Sequence, residues 1–169
     1  MATVVLTVLG DDRPGLVSAL SAPISDHGAS WERSQLAQLA GKFAGIVVVS
    51  VPDERYDALV AELAGLAELQ VTLERTDQEQ PGESQDFVLE LLGDDRPGIV
   101  AEISAALAEA GVSIQELTTD VRAAPHAGGM LFEARALLDA PVGAELDDVQ
   151  AVLEGLADEL MVDITLSVD

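Results

Sequence analysis

The chain has 169 residues, with 8 Lys plus Arg against 31 Asp plus Glu, a formal net charge of −23 and a pI near 4.1. Charge of this sign repels phosphate backbones and anionic leaflets, which excludes a general nucleic-acid surface and a polybasic membrane anchor. Hydrophobic residues are 49% of the chain, enough for a packed core and too many for an acidic disordered segment, and without Cys there is no disulfide, thiolate nucleophile or Cys-based metal site.

In chain order, Met1-Ala2-Thr3 leads directly into an apolar run, without a basic segment before it or the roughly 18 to 20 apolar residues of a spanning helix, so a cytoplasmic location is expected. Thr3 to Leu9 is rich in Val and Leu and ends at Gly10, as a strand does. Gly10-Asp11-Asp12-Arg13-Pro14-Gly15 follows. Val17, Leu20 and Ile24 then recur at three- and four-residue steps, which predicts an amphipathic helix closed by Gly28. A second strand starts at Ser30-Trp31, and a third covers Phe43 to Val51 beyond Gly41 until Pro52-Asp53 stops it. Leu59, Leu63 and Leu66 mark another helix, and Gln70 to Arg75 a last strand.

The hexapeptide returns unchanged as Gly93-Asp94-Asp95-Arg96-Pro97-Gly98, 83 residues on. At the same offset Leu16-Val17 is answered by Ile99-Val100, Ser21 by Ser104, Gly28 by Gly111 and Ser30 by Ser113. Gly65-Leu66-Ala67 reappears as Gly155-Leu156-Ala157 at an offset of 90, so the second copy carries about seven more residues, assigned to a longer hairpin around Ala123 to Gly129. Its elements read as strands Asp86 to Leu92, from Ser113, Met130 to Leu138 (stopped by Pro141) and Met161 to Val168, with helices marked by Val100, Ile103 and Leu107 and by Val149, Val152 and Leu156. The polar stretch Thr76 to Gln85, containing Pro81-Gly82, reads as a linker. The expected organisation is a domain over residues 1–76, a linker over 77–85 and a domain over 86–169. Each has the order βαββαβ and closes as a ferredoxin-like α+β sandwich, an antiparallel sheet with both helices on one face.

The repeated loop has two readings. In one, Pro suits a first helical turn, Asp caps the positive helix end, Arg13 or Arg96 pairs with local carboxylates, and Gly15 or Gly98 packs closely against the sheet. Alternatively, the glycine admits a ligand, the free N–H groups of the helix start hold a carboxylate, and Asp11 and Asp12, or Asp94 and Asp95, accept from an ammonium group. An amino-acid zwitterion needs both complements. No catalytic constellation accompanies the loop: His27 and His126 lack counterparts in the other copy, Asp147-Asp148 falls on a helix surface, and no phosphate or dinucleotide fingerprint occurs. No enzyme activity, cofactor or metal is expected. An RNA-binding sheet of the same topology is excluded by 3% aromatic residues and the negative charge.

Two βαββαβ units, each with Asp-Arg-Pro-Gly and an aliphatic pair opening the first helix and Gly-x-Ser after it, resemble tandem ACT domains, small-molecule-sensing modules of amino-acid metabolism. The two-domain layout is similar to the glycine cleavage system transcriptional repressor family. The resemblance spans essentially the whole chain. It implies sheet-to-sheet pairing of ACT units with an amino acid bound at the loop after the first strand. On this sequence that carries over to Asp11, Asp12, Arg13, Gly15 and Leu16, and to Asp94, Asp95, Arg96, Gly98 and Ile99. Many ligand-binding members have Asn just after the first helix, where this chain has Ser30 and Ser113, whose hydroxyls donate and accept. Trp31, the single tryptophan, adjoins Ser30 as a fluorescent reporter.

What the resemblance implies is a regulatory protein that senses a small amino acid, glycine or serine first. It would act through a protein partner such as a transcription factor or metabolic enzyme, without direct nucleic-acid or membrane binding, with a homodimer formed through ACT sheet or helix pairing as a further expectation. The alternative is a protein-interaction module of the same fold with no small ligand. Residues 1–83 carry 5 Lys/Arg and 13 Asp/Glu, net −8, and 84–169 carry 3 and 18, net −15. The second copy is therefore the better match for a basic partner.

Overall fold

A computed structural model describes residues 1–77, 83–126 and 128–169 and divides into two units, Met1–Glu79 and Gln80–Asp169. The first comprises β1 (Ala2–Asp11), α1 (Leu16–Asp26), β2 (Ser30–Leu39), β3 (Lys42–Val51), a 3-10 turn (Asp53–Arg55), α2 (Tyr56–Ala64) and β4 (Gln70–Arg75). The second comprises β5 (Ser84–Asp94), α3 (Ile99–Glu109), β6 (Ser113–Ala123), β7 (Met130–Pro141), α4 (Leu146–Leu160) and β8 (Val162–Val168). Each sheet is antiparallel, in the orders β2-β3-β1-β4 and β6-β7-β5-β8, so the first strand of each unit is central.

Alternation along these strands sets the core. Val4, Leu6 and Val8 of β1 turn to one face beside Val49 and Val47 of β3, in the register Val4↔Val49 and Leu6↔Val47. Leu16, Leu20 and Ile24 of α1 and Leu59 and Leu63 of α2 close over them, every one at most 4% exposed. Burying a side chain of this size stabilises the fold by about 1.5–3 kcal/mol. The second core repeats the plan with Phe87, Leu89 and Leu91, Ile99, Ile103 and Leu107, and Val149 and Leu153. Even the edge-strand irregularity is duplicated: the register shifts between Trp31 and Arg33, and again between Ile114 and Glu116. The bulge turns Trp31 toward the core and Arg33 away from it.

Most of the length difference lies in one hairpin. Val51 pairs with Ala2 and its counterpart Ala140 with Gln85, so Ser113–Ala140 spans 28 residues where Ser30–Val51 spans 22, and the seventh residue of the shift to an offset of 90 falls between Pro141 and α4. In the first unit the strands join through Ala40 and Gly41, both at positive φ (50° and 78°), the two-residue turn that matches strand twist. In the second, the Ala124 N–H donates to the Gly129 carbonyl at 3.1 Å across a longer loop.

Strand limits run slightly beyond the sequence pattern. β5 begins at Ser84, so Ser84 and Gln85, assigned above to the linker, pair with Pro141 and Ala140. Pro141 thus ends β7 from inside the ladder. Linker residues 78–82 and hairpin residue 127 lie outside the described residues.

The first glycine of each motif is a packing requirement. A Cβ on Gly10 would lie 2.6 Å from the Glu68 carbonyl oxygen, and one on Gly93 would collide with the Val162 side chain. Gly155, inside α4, faces open space. In urea denaturation, Gly93→Ala is expected to lose about 1–3 kcal/mol by overpacking. Gly155→Ala is expected to gain about 0.5–1 kcal/mol, because the helical residue no longer bears glycine's entropy cost.

Candidate ligand-binding loops

In both units the loop from the central strand to the first helix is built on one backbone device. Gly15 sits at φ 92°, ψ 2° and Gly98 at φ 96°, ψ −5°, as at the third position of a type II turn with Pro at the second. The helices begin at Leu16 and Ile99, one residue after the glycine, and not at the proline. The expectation that Gly15 and Gly98 lie within the first turn and are small because something packs on them is therefore corrected. A Cβ on Gly15 would meet nothing within 4 Å and one on Gly98 only Glu102 Oε1 at 3.7 Å. Glycine is needed there for its positive φ, and the space before the loop is open.

The capping reading also fails. Neither helix has a side-chain hydrogen bond at its N-cap, so no Asp of the motif satisfies the helix start. The first backbone bonds run from the Ala19 N–H to the Gly15 carbonyl and from the Glu102 N–H to the Gly98 carbonyl, both 2.9 Å. The N–H groups of Val17 and Ser18, and of Val100 and Ala101, have no backbone acceptor among the described residues. Such a cluster at a helix N-terminus carries partial positive charge. Each loop is held by one backbone bond to the neighbouring hairpin: the Asp12 N–H donates to the Gly41 carbonyl and the Asp95 N–H to the Met130 carbonyl, again at 2.9 Å.

Side chains make the two loops unlike. β1–β3 pairing sets Asp11 opposite Lys42, and the two form an ion pair. Hydrogen bonding to Lys42 and its charge hold the Asp11 carboxyl below the usual carboxylate range. Arg13 pairs with Glu68. In the second unit Leu131 stands opposite Asp94, and neither Asp94 nor Asp95 has a cationic partner among the described residues. Arg96 reaches Glu102 in the first turn of α3 at 3.5 Å, where the first copy has Ala19. The partners Lys42, Glu68 and Glu102 were not singled out from sequence. Lys42 was within reach of such an argument, because the Gly41 turn places it at the hairpin end beside the motif.

Ser30 and Ser113 do not join these loops within a unit. Ser30 pairs with Ser50, itself opposite Thr3, at the other end of the sheet from Asp11. Asp11 lies eight residue steps along β1 from Thr3, about 26 Å at roughly 3.3 Å per residue. Ser113 stands opposite Asp139, equally far from Asp94. Trp31, whose indole N–H donates to Ser34 Oγ at 3.1 Å, shares the remote end and is not a reporter for the loop. His27 Nε2 lies 2.6 Å from Glu62 Oε2, joining the end of α1 to α2, and His126 is exposed in the long hairpin. Asp147 and Asp148 occupy the exposed first turn of α4. Among the described residues no helix is long and apolar enough to cross a membrane.

The chain is a tandem duplication of one ferredoxin-like α+β sandwich, with the same loop at the start of the first helix in each copy. The chain belongs to the ACT domain family, whose model matches residues 2–75 and 85–167. It is 24% identical over 160 residues to the glycine cleavage system transcriptional repressor of Escherichia coli (strain K12), covering 92% of this chain and 84% of that protein. The repressor of the same name from Shigella flexneri matches equally. Among solved structures, an unknown protein from Galdieria sulphuraria is 31% identical with a TM-score of 0.85, over 99% of this chain and 98% of that one. A protein assigned as a glycine cleavage system transcriptional repressor shares the fold at 18% identity and a TM-score of 0.71, over 99% and 97% of the two chains. The protein is thus a regulatory-type ACT protein related to a glycine cleavage repressor.

The Asp11–Lys42 pair has a defined pH signature. Because the folded-state carboxyl lies below its unfolded value, the pair's contribution is present above the ordinary carboxylate range and is lost as pH falls through the depressed value. Lys42→Ala is expected to raise the Asp11 titration midpoint toward that of a free Asp. Carboxyl-carbon NMR titration of wild type and variant checks this.

Proposed function

We propose that this protein is a non-enzymatic cytoplasmic regulator that binds a small amino acid and relays the bound state to a protein partner, controlling transcription of amino-acid metabolism indirectly. Glycine and serine are the first candidates, glycine in keeping with the related glycine cleavage system repressors. The observation that carries this reading is the second loop, where helix N–H groups without a backbone acceptor adjoin two carboxylates that, among the described residues, no cation neutralises. The N–H groups complement a carboxylate and Asp94 and Asp95 an ammonium, so one loop matches both charged ends of a zwitterion. In the first loop Lys42 already occupies Asp11. The second copy is therefore the principal amino-acid site. Protein recognition follows from the same charge: a chain at −23 meets nucleic acid with repulsion, whereas a basic protein surface is attracted to it, most strongly to the half that carries −15.

Calorimetric titration of the full chain with glycine, serine and then each other common amino acid at millimolar concentration tests the reading. Saturable heat is expected for at least one of them. Asp94→Asn or Asp95→Asn should weaken that binding by about tenfold or more, the scale of a lost charge-assisted hydrogen bond, while Asp11→Asn should leave it nearly unchanged. Silence for every amino acid, with no rise in melting temperature, would leave the ligand-free protein-interaction module as the function.

A further inference from the structure

Each loop leaves the central strand of its sheet, so it has a neighbouring strand on either side. In the first unit both neighbours hold the loop by charge. Lys42, the first residue of β3, stands opposite Asp11 and pairs with its carboxylate. On the other side Glu68, just ahead of β4, pairs with Arg13.

In the second unit the same two places are uncharged. Leu131 stands opposite Asp94. Leu69 packs on Gly10 as Val162 packs on Gly93, so the residue before Val162, Met161, takes the place of Glu68. Met161 is 86% exposed. Arg96, with no carboxylate at that position, reaches Glu102 in the first turn of α3, the helix that the loop itself begins. Such a pair stays within one segment and ties the loop to no neighbouring strand. What both loops share is a single backbone bond to the hairpin, from Asp12 to Gly41 and from Asp95 to Met130.

We propose that the two ion pairs of the first unit form a latch that holds its loop closed against both flanking strands, and that the second loop is the same device unlatched, closing when an ammonium group from outside settles on Asp94 as that of Lys42 settles on Asp11. The first copy shows, on the equivalent carboxylate of the same molecule, the chemistry of the group that the second one takes: a primary ammonium. The closing step rests on the amino-acid reading above, and the latch does not. Exposed ion pairs are individually weak, each shifting an equilibrium by about two- to fivefold. Two on one short loop combine to about tenfold, which matters because a surface loop opens at little cost in free energy.

The loops contain matched reporters. The Asp12 and Asp95 amides each donate one backbone bond of 2.9 Å to the hairpin and lie in the same hexapeptide, so their unprotected exchange rates are alike. Hydrogen exchange of the full chain, followed by NMR at low salt, is expected to show Asp12 protected about tenfold more than Asp95. In 1 M NaCl, where the Debye length is about 3 Å, the two should converge. Lys42→Leu with Glu68→Met should lower Asp12 to the level of Asp95, and Leu131→Lys with Met161→Glu should raise Asp95 by about tenfold. The amides of Val8 and Leu91, inside the central strands, should keep their protection in every variant, which separates loop opening from loss of fold. Should the Leu131→Lys, Met161→Glu variant fail to fold, the first-unit variant and the salt dependence decide the matter. Equal protection at low salt overturns the latch, as does a difference that survives either 1 M NaCl or the Lys42→Leu, Glu68→Met variant.

For each amino acid that gives heat in the calorimetric titration, saturation should raise Asp95 protection, and Leu131→Lys alone should weaken binding by about tenfold, because an internal ammonium then occupies Asp94. Binding that leaves Asp95 protection unchanged, or that is indifferent to Leu131→Lys, overturns the closing step. Silence for every amino acid overturns the ligand reading and the closing step together, while the exchange measurements still decide the latch.

Discussion

The register between the central strand and its long neighbour is the constraint on which the rest of each unit depends. Val4↔Val49 and Leu6↔Val47 put two inward aliphatic sets side by side beneath the helices. Side chains alternate with a period of two, so a slip of one residue would carry the whole set to solvent. The same register ends with Asp11 opposite Lys42 and ties the Asp12 N–H to the hairpin turn. It also lines up Arg33, Val48, Val5 and Glu74 across the opposite face. Core, loop anchor and outer surface are three consequences of one pairing.

Duplication preserved backbone requirements and released side-chain ones. Both copies keep a glycine where a Cβ would strike the segment entering the last strand, and a second glycine where φ must be positive. Both keep the edge-strand bulge. These features are geometric, and few substitutions satisfy them. Around the loops, by contrast, Lys42 is replaced by Leu131, and Ala19 by Glu102. In the first copy Asp11 has an internal counter-ion, and in the second neither Asp94 nor Asp95 has one among the described residues. One scaffold thereby presents two electrostatically different loops.

Much of the fold was legible in the sequence because it rests on local patterns. Period-two runs marked the strands, three- and four-residue steps marked the helices, and an unchanged hexapeptide at a constant offset revealed the duplication. Six of the seven extra residues lie in the hairpin that the sequence pointed to, where added length costs little as long as the strands on either side keep their register, and the seventh lies after β7. The loop was harder. Pro followed by Gly is compatible with a first helical turn and with a type II turn, and only the observed φ at Gly15 and Gly98 separates the two. Ser30 and Ser113 were grouped with the loop on resemblance, and strand direction places them at the far end of the same unit.

By itself the sequence determined the class of the protein: two acidic βαββαβ units of the ACT type, each with the same loop at the start of its first helix. Periodicity, turn residues and net charge are properties of neighbouring positions or of the whole composition, and they survive without knowledge of contacts. Which carboxylates are neutralised, why each glycine is needed, and how charged residues line up across a sheet depend on residues tens of positions apart in the chain. Asp11 and Lys42, or Arg33 and Glu74, meet or align only through strand pairing, and that was decided by the tertiary structure.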